Sequence, residues 1–533
     1  IIVIHSLHCE RLIGEFSLSE FALQRSVGAP LRLERATFSS RERNLRLSSF
    51  RLLEQYPIVG DHMRVVKISV PIGPENHFTF GNVTSSKHPS PLNGNTQRDR
   101  EFQLRHSTAG IMIRAGCVMV LLIALIASVE SSQAIAYQYP YHDPYLATAT
   151  SAILSDDGAT PRVDSTIFHV SGLPGRNNLS TLEGRGQVGL ALYRQGRAAP
   201  LLFILAGVGS NPYFGVAPYL ASLFYREGFH VIILPSPMSW NFALAASRSG
   251  APGFAPQDAR DLYEVMQKAL AASRARYDLK ATSINFIGVS LGALEGAYLS
   301  VIEAEEKTIG INKYLLFNPP IGLSYSVKKI DEWSALKETF GQERSQLIES
   351  KARAIVGSFA EERDDDPAVF ERLAKKLAGF STKELQYLIA ENLQNQLPEL
   401  IYATQVVHDQ GLFIARKEEM RKRLEEAKDF TLMQYNRWIA LPRWQMQIGD
   451  PHADLEAFSR RGSLIPILDR LRANPKIQIL HNVDDFLAER KSIEALKGVL
   501  GDRVTLFPYG GHLGNLWYPE NKTYALRYFR PRA

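Results

Sequence analysis

Cysteine is nearly absent: Cys9 and Cys117 are the two in 533 residues, and both precede the point where processing of the chain is expected. The body of the protein then has no disulfide framework and no thiolate nucleophile. Compact Lys/Arg runs interleaved with aromatic residues are missing, and a net charge of +6 is mild for this length. Nucleic-acid recognition therefore has little basis, while a weak pull toward an anionic membrane surface is compatible with the charge. Phosphate-binding loops are lacking as well. The turn 207–212, Gly-Val-Gly-Ser-Asn-Pro, follows an apolar run but has neither the lysine of G-x-x-x-x-G-K-[ST] nor the spacing of G-x-G-x-x-G. Asp364, Asp365 and Asp366 precede Pro367. A solvated helix start, with Asp at the N-cap and Pro at the first helical position, explains them better than a metal ion does. No cofactor and no metal are expected. No apolar run reaches the roughly 20 residues that a transmembrane helix needs.

The composition that is present, 45% hydrophobic and 22% charged, is that of a globular protein able to bury a large core. Residues 1–111 are rich in Arg and Ser and carry no long periodic pattern; they read as a disordered extension or as upstream sequence foreign to the natural protein. The segment immediately after them favours the second reading. Met112-Ile113-Arg114, an apolar run over 117–129 and the ending Ala134-Ile135-Ala136 have the layout of a secretory signal peptide over 112–136. Translation from Met112, a mature chain from about Tyr137, and a secreted or periplasmic location are the corresponding expectations. The aromatic, proline-broken stretch 137–145 reads as an extended lead-in that packs on the body.

Beyond it, apolar β-favouring runs alternate with helical patterns. Strands are expected over 166–170, 187–193, 201–206, 229–234, 284–287 and 312–317, with helices over 216–226 and 256–275; this alternation implies parallel βαβ units. Residues 324–461 are charged and helical with almost no strand signal, including a helical face over 416–428 and capping-box spacing in Ser381-Thr382-Lys383-Glu384. They form an insertion long enough to be a lid. The sheet resumes over 476–480 and 503–507, on either side of a helix over 489–500. The expected organisation is a first core part over 137–323, a helical cap over 324–461 and a second core part over 462–533.

One stretch organises the chemistry. Gly288-Val289-Ser290-Leu291-Gly292 lies between an apolar strand and a helix of small residues, which is the setting in which G-x-S-x-G forms a strained nucleophile turn. A serine there needs a base and an acid. Downstream, His481-Asn482-Val483-Asp484-Asp485-Phe486-Leu487 ends one strand and Gly510-Gly511-His512 follows another.

The ordered set of elbow serine, acid after a late strand, and histidine in the loop after the last strand resembles the α/β-hydrolase superfamily, whose chain order is Ser, Asp or Glu, His. The resemblance covers about 166–323 and 463–528. It implies an α/β fold with a doubly wound, mostly parallel sheet, a helical cap insertion, and a triad of Ser290, Asp485 and His512, with Asp484 as the alternative acid. It also implies an oxyanion hole from the backbone N–H of Leu291 and of Val208. Where family members often carry His-Gly after the third strand, this chain has Ala206-Gly207; a main-chain donor tolerates that departure. Met238, Trp240 and Phe242 are expected near the sheet's carboxyl edge, where ligands bind. The implied activity is hydrolysis of small-molecule or lipid-like carboxylic esters. Peptidase, thioesterase and acyltransferase chemistry would use the same groups, and a catalytically idle binding protein is the reading from another class.

Overall fold

The computed structural model describes residues 137–151, 165–208, 210, 212–213, 215–358 and 367–530. The upstream extension 1–111, the signal segment 112–136 with both cysteines, Gly209, and Asp364, Asp365 and Asp366 lie outside the described residues.

An eight-stranded sheet runs in the order β1-β2-β4-β3-β5-β6-β7-β8. The strands are β1 (Thr166–Ser171), β2 (Gln187–Tyr193), β3 (Ala199–Leu205), β4 (His230–Leu234), β5 (Ala281–Val289), β6 (Ile311–Phe317), β7 (Ile477–Asn482) and β8 (Val504–Phe507). β2 is antiparallel to both β1 and β4, and every pairing from β4 through β3, β5, β6 and β7 to β8 is parallel.

The two-residue period of the strands sorts their side chains between two cores. Leu201, Phe203 and Leu205 of β3 face one core, which includes Leu262 and Met266; Leu202 and Ile204 face the other, which includes Leu220 and Phe224. Such burial on both faces is why β3 and β4 read as unbroken apolar runs. Leu220 and Phe224 belong to α2 (Val216–Arg226), whose Ala217, Leu220, Ala221 and Phe224 recur at helical spacing on the buried side. Leu262 and Met266 belong to α4 (Ala255–Tyr277), which follows the short α3 (Trp240–Ala245) and packs beside α5 (Leu291–Glu306) on the opposite layer.

Between β6 and β7 the described residues carry helices and no strand. Leu323–Ser334 (α6) and Thr382–Gln394 (α7) lie against each other. Asp331 of α6 accepts hydrogen bonds from the Leu432 and Met433 amides at 3.1 and 2.9 Å and from Gln394 Nε2 at 2.8 Å, which ties three insertion segments together. The capping box on Ser381 and Glu384 forms as its spacing predicts. The sheet resumes after the insertion; α8 (Arg490–Leu500) connects β7 to β8, and α9 (Pro519–Phe529) closes the chain's described part.

Two expectations need correction. The lead-in 137–145 is not extended throughout, because Pro144–Thr150 forms a helix, α1. Asp143 caps it, accepting from the Tyr145 and Leu146 amides at 2.8 and 2.9 Å, and Pro144 fills the first helical position. The proline that reads as a breaker is thus a helix start. The helical face expected over 416–428 is helical over Met420–Ala427. The residues before it are held by Glu419 and Glu426, whose carboxylates accept from the amides of Arg416, Ile414 and Ala415. Among the described residues no helix is long and apolar enough to cross a membrane.

Candidate active site

Ser290 occupies the turn from β5 to α5 with φ 55° and ψ −122°, a backbone conformation that costs a non-glycine residue about 1–3 kcal/mol. The fold holds it there. The Ser290 N–H donates to Phe317 O of β6 at 2.9 Å, and the neighbouring glycines let strand and helix meet. A Cβ on Gly288 would stand 2.2 Å from Gly292 O, and one on Gly292 would stand 2.2 Å from Leu205 O. The G-x-S-x-G spacing is therefore a packing requirement of this turn.

His512 reaches it from the loop after β8. Its Nε2 lies 2.8 Å from Ser290 Oγ, and its Nδ1 lies 3.0 and 3.2 Å from the two oxygens of Asp485. With Nδ1–H donating to the carboxylate, Nε2 keeps the lone pair that accepts the Ser290 hydroxyl proton. Asp485 is buried in the turn after β7. It also accepts from Asn318 Nδ2 at 2.8 Å and from the Leu487 N–H at 2.9 Å. Burial by itself raises the carboxyl's pKa; the His512 imidazole and these hydrogen bonds outweigh it and hold Asp485 ionised, below the ordinary carboxylate range. Asp484, the alternative acid, points elsewhere. Its two oxygens accept from the Gly510 and Gly511 amides at 3.1 and 2.9 Å, so it clamps the loop that carries His512.

Val208 and Leu291 both border the space beside Ser290. The Leu291 amide starts α5, so it is one of the unpaired donors of a 16-residue helix and sits at the positive end of its dipole. Gly207 faces it. A Cβ built on Gly207 would fall 2.8 Å from Ser290 Cβ and 3.2 Å from Leu291 N. The end of β3 thus approaches the start of α5 so closely that only a glycine fits beside the hydroxyl, with the Leu291 amide at the same place. Met238 borders the same space, as expected of the loop after β4, whereas Phe242 is buried in the core.

Several contributors were not found from the sequence. Asn318, with φ 46°, follows β6 and donates to Asp485; a polar residue just past the carboxyl end of a strand, before Pro319-Pro320, is the available signal. Thr148 of α1 accepts from the His512 N–H at 2.8 Å and donates to Pro144 O at 2.8 Å. Asn482 Nδ2 donates to Gly511 O at 2.9 Å, and Asn515 Nδ2 donates to Asn482 Oδ1 at 2.7 Å and to the Tyr137 hydroxyl at 2.9 Å. Tyr139 stacks in an aromatic group with Tyr137, Tyr141, Trp517 and Tyr518. The segment before β1 is therefore built into the histidine loop. Nothing in its own residues announces this, because the partners lie more than 360 positions away.

Two cavities meet at Ser290 and His512. The smaller is bordered by Leu323, Val327, Ile330, Leu432 and Leu487. The larger is bordered by α1, α2 and the insertion residues Ala352, Leu385, Leu388 and Asn395.

The strand order with an antiparallel second strand, the elbow between β5 and α5, and the Ser-Asp-His chain order define an α/β-hydrolase fold. No protein-family model and no curated protein matches the sequence. Among solved structures the chain is similar to the Pyrococcus horikoshii acylaminoacyl peptidase, at 9% identity and a TM-score of 0.35, over 69% of this chain and 41% of that one. It is similar to brefeldin A esterase, a bacterial homologue of human hormone sensitive lipase, at 14% identity and a TM-score of 0.34, over 73% and 86%. The thioesterase domain from the curacin biosynthetic pathway gives 12% identity and 0.33, over 69% and 100%.

Proposed function

We propose that this protein is a serine hydrolase acting on carboxylic esters through an acyl-enzyme. The observation that carries the proposal is the unbroken chain from Ser290 Oγ through both ring nitrogens of His512 to the buried, ionised Asp485. His512 takes the Ser290 proton as Oγ attacks the carbonyl, and returns it to the leaving oxygen when the tetrahedral intermediate collapses. The amides of Leu291 and Val208 hold the oxyanion. A water activated by the same imidazole then releases the acid. The apolar residues around the two cavities favour ester groups with hydrocarbon arms over charged polymers. Secretion by way of the 112–136 segment belongs to the same reading, and the exposed Trp438, Met446 and Ile448 of the insertion support contact with a lipid surface.

Labelling by a fluorophosphonate tests the proposal. The wild-type chain is expected to be labelled and Ser290→Ala not; an unlabelled wild type, or equal labelling of the two, refutes it. A purely binding role has no use for the strained turn and the full proton path.

A further inference from the structure

Residues 137–151 add no strand to the sheet, whose first strand begins at Thr166, yet they fill a groove formed by the loop that carries His512. The loop's glycines make room for them. A Cβ on Gly511 would stand 2.1 Å from Pro144 O, and one on Gly514 would stand 2.2 Å from Ala147 O. Gly514 has no positive φ that would call for glycine; a carbonyl of α1 takes the space of its side chain. Pro144, Ala147 and Thr148 stand at i, i+3 and i+4, the spacing by which a helix lays one face into a groove. Aromatic rings fix the fit. His142 stacks on Tyr509 with ring centres 4.1 Å apart, and Tyr145 stacks on Phe486 at 4.8 Å. Phe486 follows Asp485, so the segment touches the acid turn as well as the histidine loop. The Tyr139 hydroxyl donates to Gly514 O at 3.0 Å, and the Tyr137 hydroxyl donates to Asn521 Oδ1 at 2.9 Å. Tyr139 and Ala147 are buried, and α7 and the helix Pro367–Leu377 of the insertion also pack against α1.

We propose that residues 137–151 are a built-in activating peptide. Docked, they place the His512 imidazole against Ser290 Oγ; undocked, they leave a folded hydrolase with an idle serine. This rests on the serine-hydrolase reading above. Thr148 is the positioning residue, because its hydroxyl oxygen accepts the His512 N–H. The stacked rings and the tyrosine hydroxyls hold the helix in its groove. These contacts are all non-covalent, and the eight strands pair without the segment. The groove therefore accepts a free copy of the peptide once the attached one is dislodged. Attachment ahead of β1 gives the native segment a high effective concentration, which a free peptide has to match by its own concentration.

The test uses the full chain carrying Ala147→Glu, which sets an unpaired charge where a covered methyl was and so dislodges α1. A synthetic peptide of residues 137–151 is then added. The variant is expected to melt as one cooperative unit, and its kcat on a p-nitrophenyl ester should fall by about 30-fold or more, the scale of an unsatisfied buried donor. KM should change little. The peptide should restore kcat along a saturation curve whose midpoint matches its binding by calorimetric titration. A peptide carrying Thr148→Val should bind alike and restore little. Several results overturn the proposal and leave the hydrolase reading standing: a variant within twofold of wild type in kcat, a variant that is unfolded, a wild-type peptide that does not bind or binds without restoring turnover, or full restoration by the valine peptide. A wild-type chain that neither hydrolyses the ester nor is labelled by a fluorophosphonate overturns both.

Discussion

Replacing Thr148 by valine removes one oxygen and keeps the shape of the side chain. That oxygen accepts the backbone N–H of His512 at 2.8 Å, and His512 is 5% exposed, so the valine variant leaves a mostly buried amide without its protein acceptor. The cost of an unsatisfied buried donor is about 1–3 kcal/mol. Asp484, Asn482 and Asn515 still grip Gly510 and Gly511, so the loop remains folded. The loss falls on the placement of the imidazole 2.8 Å from Ser290 Oγ. If about 2 kcal/mol appears in the barrier, kcat falls about 30-fold. The assay is steady-state hydrolysis of a p-nitrophenyl ester, with thermal unfolding to verify the fold. KM should change less than kcat, and Thr148→Ser, which keeps the acceptor, should recover most of the rate. A valine variant within twofold of wild type would refute the reasoning. A serine variant as slow as the valine one would show that packing of the methyl group, and not the hydrogen bond, is what matters.

Asp485→Asn is expected to lower kcat about 10⁴-fold, as loss of the triad carboxylate does elsewhere. Asp484→Asn should cost about tenfold, since an amide oxygen can still accept from one of the two loop amides; the reverse order in kcat would reassign the acid. Gly207→Ala places a methyl 2.8 Å from Ser290 Cβ, over the reacting hydroxyl. Its kcat/KM should fall by about 10²-fold or more, the scale of losing an oxyanion donor, and unchanged turnover would contradict the assigned site. The fourth prediction concerns pH. Glu295 is buried beneath the elbow with Oε2 unpartnered; burial first, then Asp258 and Asp261, raise its pKa well above the usual value. A carboxyl whose folded pKa is raised gives its stability below about 4.3 and loses it as pH climbs through the folded value. The stability of wild type against urea should therefore fall from mildly acid toward alkaline pH, and Glu295→Gln should flatten that slope. Parallel pH profiles for the two proteins would show that Glu295 ionises normally.

Much of this arrangement is legible in the sequence because it depends on local pattern. β2 and α2 fall on the expected residues, since a β-favouring run after a Gly/Asn-rich stretch and a stop at Gly228 are local signals. The elbow reads from five residues because its glycines answer to contacts within the same turn and strand pair. Asp485 and His512, chosen from chain order and the acid turn, lie in hydrogen-bond reach of each other, while Asp484 turns to the Gly510 and Gly511 amides, since adjacent carboxylates on a turn point in different directions. What escaped is non-local. Thr148, Asn318 and Asn515 act on atoms far along the chain, and no periodicity marks them. α1 escaped for a different reason, as Asp143-Pro144 carries helix-start chemistry that the surrounding tyrosines and prolines obscured.

The bond from Thr148 to His512 joins positions 364 apart, and that separation sets an order of assembly. Closing so long a loop is entropically disfavoured until the sheet has brought its ends together. Strand pairing from β1 to β8 must precede it, and an amino-terminal fragment ending before β8 has no imidazole to brace. The reactive geometry is thus among the last features the chain acquires during synthesis. A nascent chain carries Ser290 without His512 beside it until the polypeptide is complete through that final loop.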